Sequence, residues 1–205
     1  GRVASGVAIR LFSEENFTGR PEYTTPEILR TSLASVILRM AALELGDIAD
    51  FPFVEPPTPR QIEDGYKSLF ELGALDEKRA LTPLGKELAR LPVDPRIGRM
   101  LLAAREFNCL AEMIILTAAL SIQDPRDRPS DKRQESDRAH EEFRDDASDF
   151  VQLINLWKFF DEAFRHKESN RKLWQVCRDH FLSYVRMREW RDLAGQLREM
   201  AADLK

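Results

Sequence analysis

The sequence predicts a mainly α-helical protein in which a small helical module with a β-hairpin precedes a helical bundle. Thr58-Pro59 and Thr82-Pro83 each supply a hydroxyl N-cap followed by proline at the first helical position, so each pair predicts the start of a helix. Between these helices, a charged tip at residues 76–79 stands between two leucines and predicts a small hairpin. After Pro92 the sequence favours nearly continuous helix. With one earlier helix, this order is the pattern of a winged helix followed by a bundle.

Composition and charge bound the class of protein. Of the 205 residues, 43% are hydrophobic and 32% are charged, enough to bury one good core or two small ones. The longest apolar runs fall short of the roughly 20 residues that a membrane helix needs, and no signal peptide is expected. Cys109 and Cys177 lie outside any C-x-x-C spacing, which fits a reducing cytosol and no metal site. We therefore expect a soluble cytoplasmic protein without a membrane partner.

Residues 1–25 are predicted to be the tail of another domain and a linker. Residues 6–13 alternate in apolar character like a strand, and a lone strand at a terminus has no sheet of its own. We therefore expect it to be the last strand of a domain whose remainder lies outside this sequence. The winged helix is assigned to residues 26–93 and the helical bundle to residues 94–205.

Three helices are predicted for the winged helix, beginning at Pro26, Thr58 and Thr82. The first runs to Gly46, and the second ends at Gly73, where a left-handed C-terminal cap is expected. In each helix, apolar residues recur at the spacing of one buried face. The residues expected on these faces are Leu29, Leu33, Val36, Ile37, Met40, Ile62, Tyr66, Leu69, Phe70, Leu84, Leu88 and Leu91.

The bundle is predicted to begin with a helix that Asp94-Pro95 caps and that stops at Asn108, a residue that tolerates the left-handed conformation. Leu110 to Ile122 is apolar on almost every side and belongs in the middle of the bundle. Residues 123–147 are the most polar part and have the composition of a disordered segment. Ser148 is expected to cap the next helix. Later apolar stripes are assigned to the core: Phe150, Ile154, Trp157, Phe160, Phe164, Leu173, Cys177, Phe181, Tyr184, Leu193, Leu197, Met200 and Leu204.

No complete active site is predicted. The sequence contains no G-x-x-x-x-G-K-[ST] phosphate loop, no H-E-x-x-H zinc motif and no G-x-S-x-G nucleophile motif. His140, His166 and His180 lack the spacing of metal ligands, so each is expected to be a surface or capping residue. Asp145-Asp146 is interpreted as negative charge at a helix N-terminus rather than as an acid and base pair.

The charge distribution leaves two interpretations open. The net charge is -4, which alone argues against nucleic acid, but residues 165–198 carry 9 Lys or Arg against 4 acidic residues, a local excess of 5 positive charges. This stretch is either a phosphate-binding surface or a set of solvated helix faces with i, i+4 partners. Charge alone favours solvated faces.

A series of short motifs resembles the DEAH-box RNA helicases. Gly1-Arg2, then Gly6 and Ile9-Arg10-Leu11-Phe12, resemble the end of motif VI and the strand after it. The resemblance continues in one order over nearly the whole chain, and it is most similar to the bacterial HrpA-type subgroup. The further matching segments are Pro26-Glu27-Ile28, Leu33-Ala34-Ser35, Phe51-Pro52-Phe53, Pro56-Pro57, Leu72-Gly73-Ala74-Leu75, Leu81-Thr82-Pro83-Leu84-Gly85, Pro92-Val93-Asp94-Pro95, Arg128-Pro129 with Lys132, Leu182 and Gln196-Leu197.

The resemblance implies the part of such a helicase that follows the second RecA-like domain, a winged helix and then the ratchet (HA2) domain. The family hydrolyses NTP with magnesium and moves along single-stranded RNA in the 3′ to 5′ direction. It therefore implies ATP and Mg²⁺ for the parent enzyme and no cofactor for this fragment, which is not expected to be catalytic alone. The implied partners are single-stranded RNA and the RecA-like domains of the same chain.

Individual residue roles also follow from the resemblance. Arg2 aligns with the last arginine of motif VI, the arginine finger, whose planar cation meets charge that develops on the phosphoryl oxygens. Arg126, Arg128, Lys132 and Arg133 lie where the family has a loop close to the RNA channel, and flexible cations suit sequence-independent phosphate contacts. Nine acidic and six basic residues share positions 124–146, so a merely solvated loop is an equal alternative.

Two further function classes remain as alternatives. One is a stand-alone winged-helix regulator that binds duplex DNA, although the candidate recognition helix, residues 58–72, carries Glu63, Asp64 and Glu71 against Arg60 and Lys67. This is a poor face for a major groove. The other is a protein-docking module, because winged helices and bundles also bind partners through apolar grooves.

Overall fold

A computed structural model of the chain describes residues 6, 7, 9, 11–20 and 32–203. Within these residues the chain forms ten α-helices, one turn of 3-10 helix at Glu141–Phe143 and no extended strand, so the prediction of a mainly α-helical protein is confirmed. The helices are α1 Glu14–Thr18, α2 Ala34–Ala42, α3 Pro59–Glu71, α4 Pro83–Arg90, α5 Pro95–Ala103, α6 Leu110–Ser121, α7 Arg133–His140, α8 Asp149–Arg165, α9 Asn170–Asp179 and α10 Tyr184–Asp203. In the described part of the chain, none of them combines the length and apolarity that crossing a membrane requires.

Side-chain caps begin α3 and α4, the second and third winged-helix helices, at the predicted positions. Thr58 Oγ1 accepts a hydrogen bond from the Gln61 N–H at 3.3 Å, and Gln61 Oε1 accepts one from the Thr58 N–H at 3.0 Å. This reciprocal pair is a complete capping box at the start of α3. Thr82 Oγ1 accepts from the Gly85 N–H at 2.9 Å and starts α4. At the start of each helix, the threonine side chain accepts from one N–H group that has no partner within the helix, and proline removes another.

The start of α8 uses a different cap from the one predicted. Ser148 stands at the N-cap position, but its side chain makes no capping hydrogen bond. Asp145 Oδ1 instead accepts from the N–H groups of Ala147 and Ser148 at 3.0 and 2.9 Å. The carboxylate therefore orders the turn that leads into α8, where negative charge is also favourable for the helix dipole.

The predicted hairpin of the winged helix is reduced to a single antiparallel bridge between Leu75 and Leu81. Two local features leave no room for longer strands. Gly73, with φ of +73°, ends α3 just before Leu75, and the N-cap Thr82 directly follows Leu81. Within the tip, the Asp76 carboxylate accepts from the N–H groups of residues 78 and 80 at 2.9 and 2.8 Å. The tip is thus a tight turn that Asp76 holds, not a two-stranded ribbon.

The N-terminal strand predicted for residues 6–13 is absent from the described part of that segment. Residues 6, 7, 9 and 11–13 belong to no strand, while residues 8 and 10 lie outside the described residues. Val7, Ile9 and Leu11 are 93%, 83% and 95% exposed, so they have no sheet to pack against. The predicted start of the first winged-helix helix at Pro26 also lies outside the described residues, and the described helix α2 begins at Ala34.

One apolar core runs through both halves of the chain. Helix α2 packs on α3 and α4, and α6 packs on α5, α8 and α10, as expected for a helix that is apolar on almost every side. The central contact of the bundle is Trp190, which is fully buried and lies 5.3 Å from the Trp157 ring. Its Nε1–H donates to the Ile115 carbonyl at 2.8 Å. Between the halves, Gly98 of α5 packs closely on the side chains of Leu88 and Leu91.

The polar segment 123–147, whose composition left open whether it is ordered, is folded. It contains α7 and the 3-10 turn, and Phe143 at the end of that turn is 4% exposed. The Phe143 ring packs 5.1 Å from the Phe159 ring of α8. One buried aromatic residue and tertiary hydrogen bonds outweigh the polar composition of the segment.

Candidate nucleic-acid interface

The predicted RNA-binding cations Arg126, Arg128, Lys132 and Arg133 lie in the connection between α6 and α7 and at the start of α7. The backbone of this connection is fixed to the turn between α9 and α10. Residue 126 pairs with Leu182 in an antiparallel bridge. The Asp127 N–H donates to the Phe181 carbonyl and the Ser183 N–H donates to the Pro125 carbonyl, both at 2.8 Å. The predicted catalytic residue Arg2 lies outside the described residues.

Arg126 is held by the carboxylate of Asp124. Its Nε lies 3.0 and 3.2 Å from the two carboxylate oxygens, and its Nη2 lies 2.7 Å from one of them. Burial acts to raise the pKa of Asp124, but the hydrogen bonds from Arg126 outweigh it and hold that pKa below its ordinary value. The same hydrogen bonds raise the pKa of Arg126. Arg126 is therefore a fixed, permanently charged group that already has an anionic partner.

Arg128 reaches across to α7 and pairs with Asp137. The Arg128 Nε and Nη2 atoms each lie 2.6 Å from a carboxylate oxygen, which is the bidentate geometry typical of arginine and carboxylate. The hydrogen bond from Arg128 lowers the pKa of Asp137. Because both side chains are exposed to solvent, water screens the pair and a phosphate can replace the carboxylate.

Lys132 and Arg133 differ from the two preceding cations. Lys132 occupies the N-cap position of α7 and Arg133 is its first residue, and both side chains are exposed. Neither forms an ion pair with a carboxylate in the described part of the chain, in contrast to Arg126 and Arg128. Lys132 therefore presents positive charge to solvent without an ion-paired carboxylate, whereas the charge of Arg133 also acts on Asp137 and helps to lower its pKa.

Two clefts adjoin this connection and divide the predicted residues between them. Arg126 and Arg128 line the first, of about 550 Å³, together with Arg144 and several acidic side chains. Lys132 lines the second, of about 560 Å³, together with Asp127 and Pro129 of the same connection, the end of α9 and the start of α10. Arg133 lines neither cleft. The four cations thus share one segment but do not converge on one site.

Sequence reasoning missed the aromatic side chains of the second cleft. Trp174 of α9 is 45% exposed. Tyr184 of α10, which the sequence placed in a core stripe, is partly buried against the core and also lines this cleft. Each is followed four residues later by an arginine whose guanidinium lies over its ring: Arg178 is 5.5 Å from the Trp174 centroid and Arg188 is 5.9 Å from the Tyr184 centroid. The W-x-x-x-R and Y-x-x-x-R spacings in the sequence could have indicated these aromatic and arginine pairs. They fall within the basic stretch 165–198.

Two of the histidines have structural roles. His140 Nε2 lies 3.1 Å from the Phe181 carbonyl, and His180 Nδ1 lies 2.9 Å from the Val176 carbonyl, so these nitrogens carry the protons that they donate. Burial raises the pKa of the Cys177 thiol to about 11, which keeps it protonated and unreactive. No group of three His, Cys, Asp or Glu side chains in the described ranges is placed to hold a metal ion.

The exposed charges of α3 pair with one another or with the neighbouring tip. Arg60 and Lys67 each lie 4.0 Å from a carboxylate one helical turn away. Glu63 is 2.6 Å from Arg79, whose guanidinium lies over the Tyr66 ring. On the face of α3 that would enter a DNA groove, both cations, Arg60 and Lys67, therefore lie next to carboxylates.

Comparison with known proteins supplies the family context of these surfaces. The description "Helicase associated domain (HA2), winged-helix" matches residues 66–93, and "Helicase associated domain (HA2), ratchet-like" matches residues 94–153. The chain is 53% identical to the ATP-dependent RNA helicase HrpA of Escherichia coli over 100% of the chain. It is 52% identical to the ATP-dependent RNA helicase HrpA homolog of Haemophilus influenzae over 97% of the chain, and 34% identical to the probable ATP-dependent RNA helicase DHX34 of Homo sapiens over 99%. The chain spans 16% of the length of each bacterial relative and 18% of the human one.

Proposed function

Because this chain belongs to the helicase-associated (HA2) family of the DEAH-box helicases, we propose that it is the accessory region that connects the motor of an ATP-dependent RNA helicase to its RNA channel. The similarity over the whole chain to an ATP-dependent RNA helicase carries this proposal. The parent protein would be a cytoplasmic bacterial enzyme that hydrolyses ATP with Mg²⁺ and moves 3′ to 5′ along single-stranded RNA. The accessory region would contribute RNA contacts and no catalysis of its own.

The proposed domains are a tail and linker at residues 1–25, the winged helix at 26–93 and the ratchet domain at 94–205. The continuous core and the close packing of Gly98 on the last helix of the winged helix support a rigid joint between the second and third of these. Close-packed interfaces transmit displacement rather than absorb it. The winged helix would thus act as a mechanical connector and not as a reader of sequence.

The first residues are proposed to join the RecA-like domain of the same chain. Val7, Ile9 and Leu11 alternate along the segment and are almost fully exposed, which supports a strand that needs a neighbouring sheet to bury its apolar face. Arg2, five residues before Val7, would then lie at the nucleotide site as the arginine finger.

Lys132 and Arg133 are proposed to be the stronger RNA contacts of the four predicted cations. Phosphate groups need not displace an ion-paired carboxylate there, whereas Arg126 and Arg128 must exchange Asp124 and Asp137 for RNA. All four contacts would be to the backbone and would carry no sequence information.

The test is the salt dependence of single-stranded RNA binding by the chain. We expect Lys132→Gln with Arg133→Gln to reduce the slope of log affinity against log salt by about 1.4, since each single-strand phosphate contact contributes about 0.7. Lys78→Gln, which removes an exposed cation from the winged-helix tip, is the matched control and should leave the slope unchanged. An unchanged slope in the double variant would refute the assignment of these two residues.

The alternatives make different predictions for the same experiment. A protein-docking module predicts that neither variant alters RNA affinity. A stand-alone regulator of duplex DNA predicts salt-resistant preference for one duplex sequence, and it has less support because Arg60 and Lys67 of α3 lie next to carboxylates.

A further inference from the structure

We propose that Trp174 and Tyr184 form a base-stacking platform for single-stranded RNA, with Arg178, Arg188 and Lys132 as its phosphate partners. The proposal rests on the RNA-binding function proposed above and extends it to side chains of α9 and α10. Four of the five residues were assigned no RNA contact by the sequence resemblance.

The platform begins at the junction of α9 and α10. Trp174, Tyr184 and Lys132 line one cleft together with Arg178 and the 72% exposed Val185. Trp174 contrasts with Trp157 and Trp190, which are 7% and 0% exposed in the bundle core. A nearly half-exposed indole in a cleft supplies a flat apolar surface on which a base can stack.

A base can take the place of the arginine that lies over each ring, Arg178 on Trp174 and Arg188 on Tyr184. Each lies one helical turn after its aromatic residue, and the cation–π attraction is weak at such exposed positions. A base can therefore displace the guanidinium from the ring, and the displaced cation remains close enough to meet the adjoining phosphate. Neither Arg178 nor Arg188 forms an ion pair with a carboxylate of the described residues, whereas Arg126 and Arg128 do.

The acidic residues of the cleft already have partners. Asp127 lies 3.2 Å from Arg186 Nη1, and Asp179 accepts a hydrogen bond from the Gln175 side-chain amide at 2.7 Å. Arg178 and Lys132 are therefore the charges that the cleft presents without such a partner in the described part of the chain. This balance favours a ligand that combines a flat apolar group with negative charge, as a nucleotide does.

The cleft continues along α10, which gives room for more than one nucleotide. A neighbouring cleft shares Tyr184 and Val185 and extends past Arg188 to Gln196. From residue 184 to residue 196 the helix rises by roughly 18 Å. Trp174 and Tyr184 would then stack separate bases of one strand, each with an arginine beside it.

Titration of the chain with single-stranded oligouridine tests the platform. We expect quenching of tryptophan fluorescence that comes from Trp174, since the other two tryptophans are buried. Trp174→Ala should weaken binding by roughly 5- to 150-fold, the range typical of one lost stacked base. Trp174→Phe keeps an aromatic face and should bind nearly as the unchanged chain, but without the quenching. An abasic oligomer with the same sugar-phosphate backbone should bind all three proteins equally, because it has no base to stack.

Three results would overturn the platform: unchanged oligouridine affinity of Trp174→Ala, an equal loss for the abasic oligomer, or quenching that persists in Trp174→Phe. Unchanged affinity of Trp174→Ala together with a reduced salt slope of the Lys132→Gln, Arg133→Gln variant would remove the platform and leave the proposed RNA-binding function intact. RNA binding that neither set of variants affects would remove both. Thermal unfolding of the Trp174 variants confirms that their fold is retained.

Discussion

Gly85→Ala is expected to destabilise the chain by about 3 kcal/mol or more, although it adds only one methyl group. A Cβ atom at Gly85 would lie 2.0 Å from the carbonyl oxygen of Ala74 and 2.9 Å from the Leu81 side chain. That carbonyl cannot move away cheaply, because it accepts a hydrogen bond from the Thr82 N–H at 3.0 Å, while the Thr82 hydroxyl bonds the neighbouring Gly73 carbonyl at 2.6 Å. Helix α4 would have to lift off the chain that precedes it. Urea unfolding of the variant measures the loss.

Gly195→Ala is the matched control for that substitution. Gly195 lies inside α10, and a Cβ atom there would meet no heavy atom within 4 Å. Alanine should therefore stabilise the chain by about 0.5–1 kcal/mol through helix propensity alone. If Gly85→Ala and Gly195→Ala changed the free energy of unfolding alike, the close approach of α4 to Ala74 would be wrong.

Trp190→Ala is the second substitution with a large expected effect, a loss of about 3–5 kcal/mol. The side chain is fully buried between α6 and α8, where its ring packs on Trp157 and its Nε1–H bonds the Ile115 carbonyl. Truncation removes both contacts and leaves a cavity at the centre of the bundle. Trp190→Phe should cost less, because it keeps an aromatic ring and loses the hydrogen bond, worth about 1 kcal/mol, and some volume.

The exposed Trp174 supplies the contrast. Trp174→Ala should change the free energy of unfolding by little, since nearly half of that side chain already meets solvent. Substitution of Trp190 is thus expected to lower stability, whereas substitution of Trp174 is expected to weaken RNA binding. Guanidinium unfolding of both alanine variants makes the comparison, and equal losses would contradict the placement of Trp190 in the core.

Helix ends were predictable because their signals are local. Thr58 and Thr82 cap helices through residues three positions away, and Gly73 adopts a positive φ of +73° where a left-handed stop was predicted. Asn108 also has a positive φ, of +54°, but α5 already ends at Ala103, so that predicted helix end is five residues too late. The apolar α6 segment was likewise placed correctly in the middle of the bundle from its composition. Each of these features depends on a few neighbouring residues.

Features that depend on distant partners were not predictable in the same way. The segment 123–147 is ordered by Phe143 against α8 and by backbone bonds to residues 181 and 183, which lie more than 50 positions from their partners in the connection. The predicted hairpin is shortened to one antiparallel bridge because Thr82, directly after Leu81, already serves as the N-cap of α4. A local sequence pattern predicts neither the contacts that order residues 123–147 nor the length of the hairpin.

The candidate site shows the same division. The cations of residues 126–133 were identified, but their internal partners were not: Asp137 lies nine residues after Arg128 and meets it only because α7 folds back. Trp174 was missed because it lies off the stripe of Leu173 and Cys177 that periodicity assigned to the core, and its place in a cleft depends on how α9 meets α10. The sequence shows where the cations are, but only the folded structure shows which of them form ion pairs with carboxylates.

The most direct test of the proposed function is RNA-stimulated ATP hydrolysis by the proposed parent helicase, of which this chain would be the accessory region. If the region grips RNA and leaves catalysis to the motor, Lys132→Gln with Arg133→Gln should raise the RNA concentration for half-maximal hydrolysis several-fold. The kcat at saturating RNA should stay unchanged, because the lost contacts bind RNA equally before and during turnover. Lys78→Gln should alter neither quantity. A fall in kcat with an unchanged half-saturating RNA concentration would contradict the account.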